Sequence, residues 1–292
     1  NMITAEQMPF KMVCGGTIDG GEIPELMDEA LLRADQKGFA ARRAESAARG
    51  MLRGFGVGMY LEQCGGGGGS GVDVEFQGDG TAIIYASQQD NGQGHRTTLT
   101  QIFSAQLGYD ADKIKIVQGD SQRTPPGTTG GARMSAVLGS TLSQAADLIA
   151  EKAKPFAAEQ LDAAIEDIQF AEGIFIAAGT NRSIEIEALV EALASDVPAE
   201  HPLNQQHEYT TKGASYPYGC HIVEIEVDMA TLQPQILRYT VVDDIGNVIN
   251  PMTFAGQIHG GIAQGVGQAL FCLLYTSPSP RDATLSRMPS SA

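Results

Sequence analysis

The sequence predicts an α+β fold of mixed sheets with packed helices, and three observations carry that expectation. Apolar runs of strand length alternate with segments of helical spacing, as where Thr81 to Ala86 is followed by Leu99, Ile102, Phe103 and Leu107. Passages from strand to helix run through glycine-rich loops. His221 to Asp228 alternates strictly, then Met229-Ala230-Thr231 turns and Gln235 to Val242 returns, the pattern of an antiparallel pair. With 292 residues, 42% of them hydrophobic, the chain is long enough for two domains with a real core.

Taken in order, residues 1 to about 25 hold Pro9, Gly15-Gly16, Gly20-Gly21 and Pro24 with no sustained period, so loop with short extended pieces is expected. From Glu25 to Ala48 the spacing turns helical, with Leu26, Ala30, Leu31 and Ala34 on one side and a break near Gly38. Arg42, Arg43, Glu45 and Arg49 are expected on its solvated face. Gly54 to Glu62 reads as a strand, the Gly65 to Gly71 run as a loop within the domain, and Val72 to Phe76 as a further strand. Gly78-Asp79-Gly80 turns this strand into the Thr81 to Ala86 strand.

The next stretch, Asn91-Gly92-Gln93-Gly94-His95, joins that strand to a helix ending at Gly108. Glycines there turn backbone N–H groups to one point beside the positive end of a helix, a fit for an anion such as a phosphate. After the strand Ile114 to Val117 the device recurs in Gly127-Thr128-Thr129-Gly130-Gly131-Ala132-Arg133, which opens a helix marked by Val137, Leu138, Leu142, Ala145, Leu148 and Ile149. Residues 155 to 200 read as peripheral: a helix around Glu159 to Ile165, two short strands, and a helix carrying Ile184, Ile186, Leu189, Val190 and Leu193. Glu224, Glu226 and Asp228 share a face of their strand and are expected to meet solvent rather than a metal. A third glycine-rich segment starts at Asn250-Pro251 and runs as a helix through Gly256-Gln257 to Gln264-Gly265. Glycine at that density costs a helix about 1 kcal/mol per residue, so close approach of a backbone or ligand is expected to compensate.

Composition excludes several classes. A net charge of −16 disfavours nucleic acid and anionic membranes. No apolar run is long enough to span a bilayer, and the first residues have no signal-peptide pattern, so a cytoplasmic location is the expectation. Cys14, Cys64, Cys220 and Cys272 form no CxxC pair, which argues against a zinc ribbon or an iron-sulfur cluster; buried free thiols are expected, with only Cys64 able to approach a ligand.

Assembled, these residues resemble the molybdenum-binding large subunit of the xanthine dehydrogenase, aldehyde oxidase and aerobic carbon monoxide dehydrogenase family. The resemblance covers residues 1 to about 271. It rests on Gly92-Gln93-Gly94-His95, on Gly119-Asp120-Ser121 with the loop Thr129 to Arg133, on Gly219 to Asp228, and on Asn250-Pro251 with Gly256 to Gly265. It implies a molybdopterin-binding domain truncated at both ends. Residues 1–54 would close a first molybdopterin-binding region with its connecting helices, and 55–271 would form a second. The implied activity is hydroxylation of an aldehyde, an N-heterocycle or carbon monoxide with oxygen derived from water.

The resemblance further implies a molybdenum-molybdopterin dinucleotide, of the cytosine type, held by Gly92, Gln93, Gly94, His95, Thr129, Gly130, Gly131, Ala132, Arg133, Ser135 and Gln257. It implies an iron-sulfur subunit and an FAD subunit as partners, in a dimer of heterotrimers, with no nucleic acid and no membrane span. The family's catalytic glutamate and its substrate-selecting loop would lie outside the chain, so no catalytic or metal-ligating residue is assigned and the chain alone is expected to be inactive. Met134 stands where a serine often follows the arginine. Residues 272–292, rich in Ser and Pro, have no core-forming period and are expected to be a foreign tail. Two rivals are a non-catalytic ligand-binding scaffold of the same fold and a Rossmann-type nucleotide enzyme; the second is disfavoured because Gly92-Gln93-Gly94 lacks a third glycine and the ribose-binding acid.

Overall fold

The computed structural model describes residues 2–271; the segment expected to be foreign lies outside them. In chain order the elements are β1 (Phe10–Lys11), β2 (Thr17–Ile18), α1 (Ile23–Arg33), α2 (Phe39–Ala48), β3 (Met51–Leu61), β4 (Cys64–Gly65), β5 (Gly69–Phe76), β6 (Ala82–Ala86), α3 (His95–Leu107) and β7 (Ile114–Gln118). A π-helical turn, Met134–Gly139, then leads into α4 (Ser140–Gln160). They are followed by β8 (Ile168–Ala171), β9 (Ile174–Ala177), β10 (Ser183–Glu185), α5 (Ile186–Ala192), β11 (Gln205–Thr210), β12 (Ala214–Ser215), β13 (Tyr218–Asp228), β14 (Pro234–Asp244) and α6 (Pro251–Phe271). No helix among the described residues is long and apolar enough to cross a membrane.

The chain divides into two compact units, and the larger comprises Met8–Gly20 and Glu62–Pro217. Its sheet has the order β11-β5-β6-β7, antiparallel except for the parallel pair β6 and β7. Parallel strands need a crossover, and α3 supplies it. Leu99, Phe103 and Leu107 recur at helical spacing on α3 and are fully buried with Val74, Phe76 and Ile84 of the sheet and Leu142 and Ile149 of α4. The C-cap Gly108 has φ +67°, and a Cβ there would strike the backbone of Glu172 and Gly173, so two loops meet where only glycine fits.

Several expectations are corrected in this unit, and the Gly65 to Gly71 run read as a loop gives its ends to β4 and β5. The helix expected around Glu159 to Ile165 is instead the end of α4, which runs through Pro155 to Gln160 because one apolar face, from Leu142 to Ala158, stays buried along its whole length. Ile184 belongs to β10 rather than to a helix.

The smaller unit takes residues up to Gln7, Gly21–Leu61 and the chain from Tyr218 on. Its antiparallel sheet has the order β14-β13-β3, and α1 buries Ala30 and Ala34 against Cys220 and Ile222 of β13. The alternation in β13 is as expected, but its acidic face is inward. Glu224 and Glu226 are buried, not solvent-facing, because basic residues converge on them. Arg42 on α2, only 17% exposed, bridges Glu224, and Arg53 on β3 pairs with the same carboxylate at 2.6 Å. Arg49 and Ser46 bond Glu226 in the same way. The face of α2 expected to be solvated is thus partly an ion-pair interface. Of the described thiols expected to be buried, only Cys220 is; Cys14 is exposed and Cys64 half-buried, and Cys272 lies outside the described residues. Helix α6 buries none of its residues, and the glycines at 256, 260, 261 and 265 have no atom within 4 Å of where a Cβ would stand, so the expected close approach is not met among the described residues.

Candidate functional site: the glycine-rich loops of the larger unit

Strands β6 and β7 run side by side with Ala86 opposite Gln118, so their following loops leave from the same edge of the sheet. Such carboxyl edges of parallel strands are where ligands meet backbone N–H groups. The two loops are tied together by Thr129, whose Oγ1 accepts from Gln89 N at 2.7 Å and donates to Gln89 O at 2.9 Å. Gly127 presses on the end of β6, where a Cβ would lie 2.7 Å from Ser87 Cβ. The glycine run of residues 65–69 joins them, because Gly65 N donates to Gly131 O at 3.1 Å and Arg133 Nη2 donates to Gly69 O at 3.2 Å. Three segments distant in sequence therefore converge, and the first of them, read as a plain loop, is part of the same construction. Ala132 holds φ +48°, a conformation costly for a residue with a Cβ, which concentrates strain at this loop. A π-helical turn follows, of a kind frequent at functional sites.

The sequence-predicted residues divide by what the structure gives them to do. Gln93 folds back, its Oε1 accepting from Asn91 N at 2.6 Å. Asp90 accepts from Gly92 N at 2.8 Å. Burial pushes the Asp90 carboxyl up, but backbone N–H groups of Gly92, Arg96 and Gly94 outweigh it and hold it below the usual carboxylate range. The anion expected at the start of α3 is therefore supplied by the chain itself. His95 is buried, and burial lowers its pKa against the pull of Asp90, so it is neutral near pH 7. Ser135 lies exposed on the π-helical turn, and Gly92, Gly130 and Gly131 have no atom within 4 Å of a built Cβ, so their backbone faces open space. Gln257, exposed on α6, belongs to the smaller unit.

Buried polar atoms in folded proteins almost always have hydrogen-bond partners. Among the described residues six side-chain atoms do not, and five lie on or beside these loops: Gln88 Oε1, His95 Nδ1, Gln118 Oε1, Arg133 Nε and Thr211 Oγ1. Thr211 follows Thr210, which pairs with Gly69. Donors and acceptors left open together fit an elongated polar ligand. Gln88, Gln118 and Thr211 were missed in the sequence, where glutamines and a threonine in strand-like runs carry no signal of burial. No group of His, Cys, Asp and Glu suited to a metal ion occurs among the described residues.

Residues 29–281 match the family of the molybdopterin cofactor-binding domain. The chain is 30% identical to the carbon monoxide dehydrogenase large chain of Hydrogenophaga pseudoflava, over 92% of this chain and 36% of that one. It is 31% identical to subunit gamma of the 6-hydroxypseudooxynicotine dehydrogenase complex of Paenarthrobacter nicotinovorans, over 93% of this chain and 35% of the relative. Among solved structures it is similar to quinoline 2-oxidoreductase from Pseudomonas putida 86, with a TM-score of 0.81 at 28% identity, covering 92% of this chain and 36% of that one. The chain thus spans roughly a third of the length of these relatives. With the family match covering most of its residues, including every element of the loop site, this chain belongs to the molybdopterin cofactor-binding domain family.

Proposed function

We propose that the chain is part of the catalytic subunit of a molybdenum hydroxylase, oxidising an aldehyde, an N-heterocycle or carbon monoxide with oxygen derived from water. The observation that carries this is the convergence of three glycine-rich segments on five unpartnered buried polar atoms, in a chain of the molybdopterin-binding family. Residues 55–271 act as the second molybdopterin-binding region, with Gly92, Gln93, Gly94, His95, Thr129 to Arg133, Ser135 and Gln257 holding the cofactor, a cytosine dinucleotide. When bound, that group supplies the redox chemistry and the site of oxygen transfer.

The residues of this chain bind and orient. Backbone N–H groups of the 129–133 loop and the Arg133 guanidinium give donors for the diphosphate, and Thr129 keeps this loop locked to the 89–94 loop. Glu224 cannot serve as a general base. Burial pushes Glu224 up, but hydrogen bonds from Arg42 and Arg53 outweigh it, and the carboxylate stays below its usual range and ionised. A base must be free to take a proton at the reacting carbon, and Glu224 is committed to two arginines. Iron-sulfur and FAD subunits carry electrons away, in a dimer of heterotrimers in the cytoplasm.

The test is metal and pterin analysis of the full-length protein. Stoichiometric molybdenum with a pterin that releases a cytidine nucleotide on mild acid hydrolysis is the expected result. A well-folded protein carrying neither molybdenum nor pterin would refute the proposal in favour of a scaffold.

A further inference from the structure

The loop site is chemically divided. On one side the 129–133 loop, with Arg133, offers donors. On the other, Gln88 and Gln118 stand at the carboxyl ends of the neighbouring strands β6 and β7, each with one amide atom lacking a partner. Gln118 sets the polarity: its Nε2 donates to the backbone carbonyl of Gln88, an atom that can only accept, so the free atom of this amide is Oε1. Gln88, 1% exposed, uses one amide atom to bond Ser70 Oγ at 2.5 Å, a hydroxyl that can accept or donate, and its other amide atom is without a partner. Asp90, which opens the adjoining loop, adds a carboxylate. Two carboxamide oxygens and a carboxylate repel a phosphate and attract N–H or O–H groups.

We infer that Gln88 and Gln118 are positioning residues that receive the uncharged, hydrogen-bond-donating part of the dinucleotide, an amino, imino or hydroxyl group, while the diphosphate lies towards Arg133. This rests on the cofactor reading above and adds the direction in which the ligand lies. Its polarity departs from the expectation that the turn at Asn91 to His95 faces a phosphate.

The experiment uses the full-length protein made in a host that synthesises the pterin, as wild type, Gln88→Met and Gln118→Met. Methionine keeps the length and apolar stem and removes the amide. Retained pterin and molybdenum after prolonged dialysis should fall about tenfold in each variant, the usual weight of one buried hydrogen bond. The melting temperature of the cofactor-free protein should fall by only a few degrees, the weight of the one internal hydrogen bond that each Nε2 makes to Ser70 Oγ or to Gln88 O. Wild-type retention in both variants overturns the inference and leaves the proposed function standing. So does a cofactor-free protein destabilised as much as the loaded one, which would make the pair merely structural. A wild type with neither molybdenum nor pterin overturns the function and the inference together.

Discussion

Glu224 shows how far one side chain can depart from what its neighbours in sequence suggest. It lies on a strictly alternating strand, yet it is 1% exposed and held by Arg42 and Arg53. Taking one partner from a buried pair strands a charge, at a cost of about 3–5 kcal/mol. Glu224→Ala should therefore lower the unfolding free energy of the smaller unit by about that amount in denaturant titration, and a loss under about 1 kcal/mol would show the network to be dispensable. Two histidines of the larger unit set its acid response. His201 accepts from Leu203 N at Nδ1 (3.2 Å) and so donates from Nε2 to Val190 O (3.1 Å), an arrangement only the neutral ring can make. Burial lowers the pKa of His201 and of His95 below the ordinary 6.5. The unfolded chain then binds more protons than the folded one, so this stability is intact above pH 6.5 and is lost as pH falls through the folded values. His201→Gln should flatten the fall in denaturation midpoint between pH 7 and 5; an unchanged slope would clear His201 of the effect.

Among elements, the glycine-rich connections differ in what they require. At Gly108 a Cβ would collide with the backbone of the 172–173 turn at positive φ, so Gly108→Ala should destabilise the larger unit by more than about 1 kcal/mol, the strain of φ alone. Gly260 on α6 meets open space, and Gly260→Ala should be neutral or raise helix stability by up to about 1 kcal/mol. Equal effects at the two sites, read by thermal unfolding, would contradict the distinction. Thr129 ties two loops with both of its hydroxyl bonds. Thr129→Val should preserve the sheet while increasing proteolytic nicking between residues 119 and 133; an unchanged cleavage pattern would mean the loops hold together without it.

For the whole molecule, two compact units are built from discontinuous stretches of one chain, and the larger carries most of the proposed cofactor cradle. Assayed alone with an aldehyde or a purine and an artificial electron acceptor, the 292-residue chain should show no hydroxylation, since its buried glutamates Glu224 and Glu226 are held by arginines; measurable turnover would overturn that.

By itself the sequence determined most element types and the places of the glycine-rich turns. Periodicity follows directly from which face is buried, as at Leu99, Phe103 and Leu107, and glycine marks turns locally, as at Gly94 and Gly108. The family motifs were legible for the same reason, being short and local. Only the tertiary structure decided which charges are buried and which polar atoms are left open. Glu224 is inward because Arg42 and Arg53, at least 171 residues away, converge on it. Gln88 and Gln118, 30 residues apart, meet because the strands that lead to them pair in parallel. Burial of a polar group is a property of everything packed around it, and no local spacing records it.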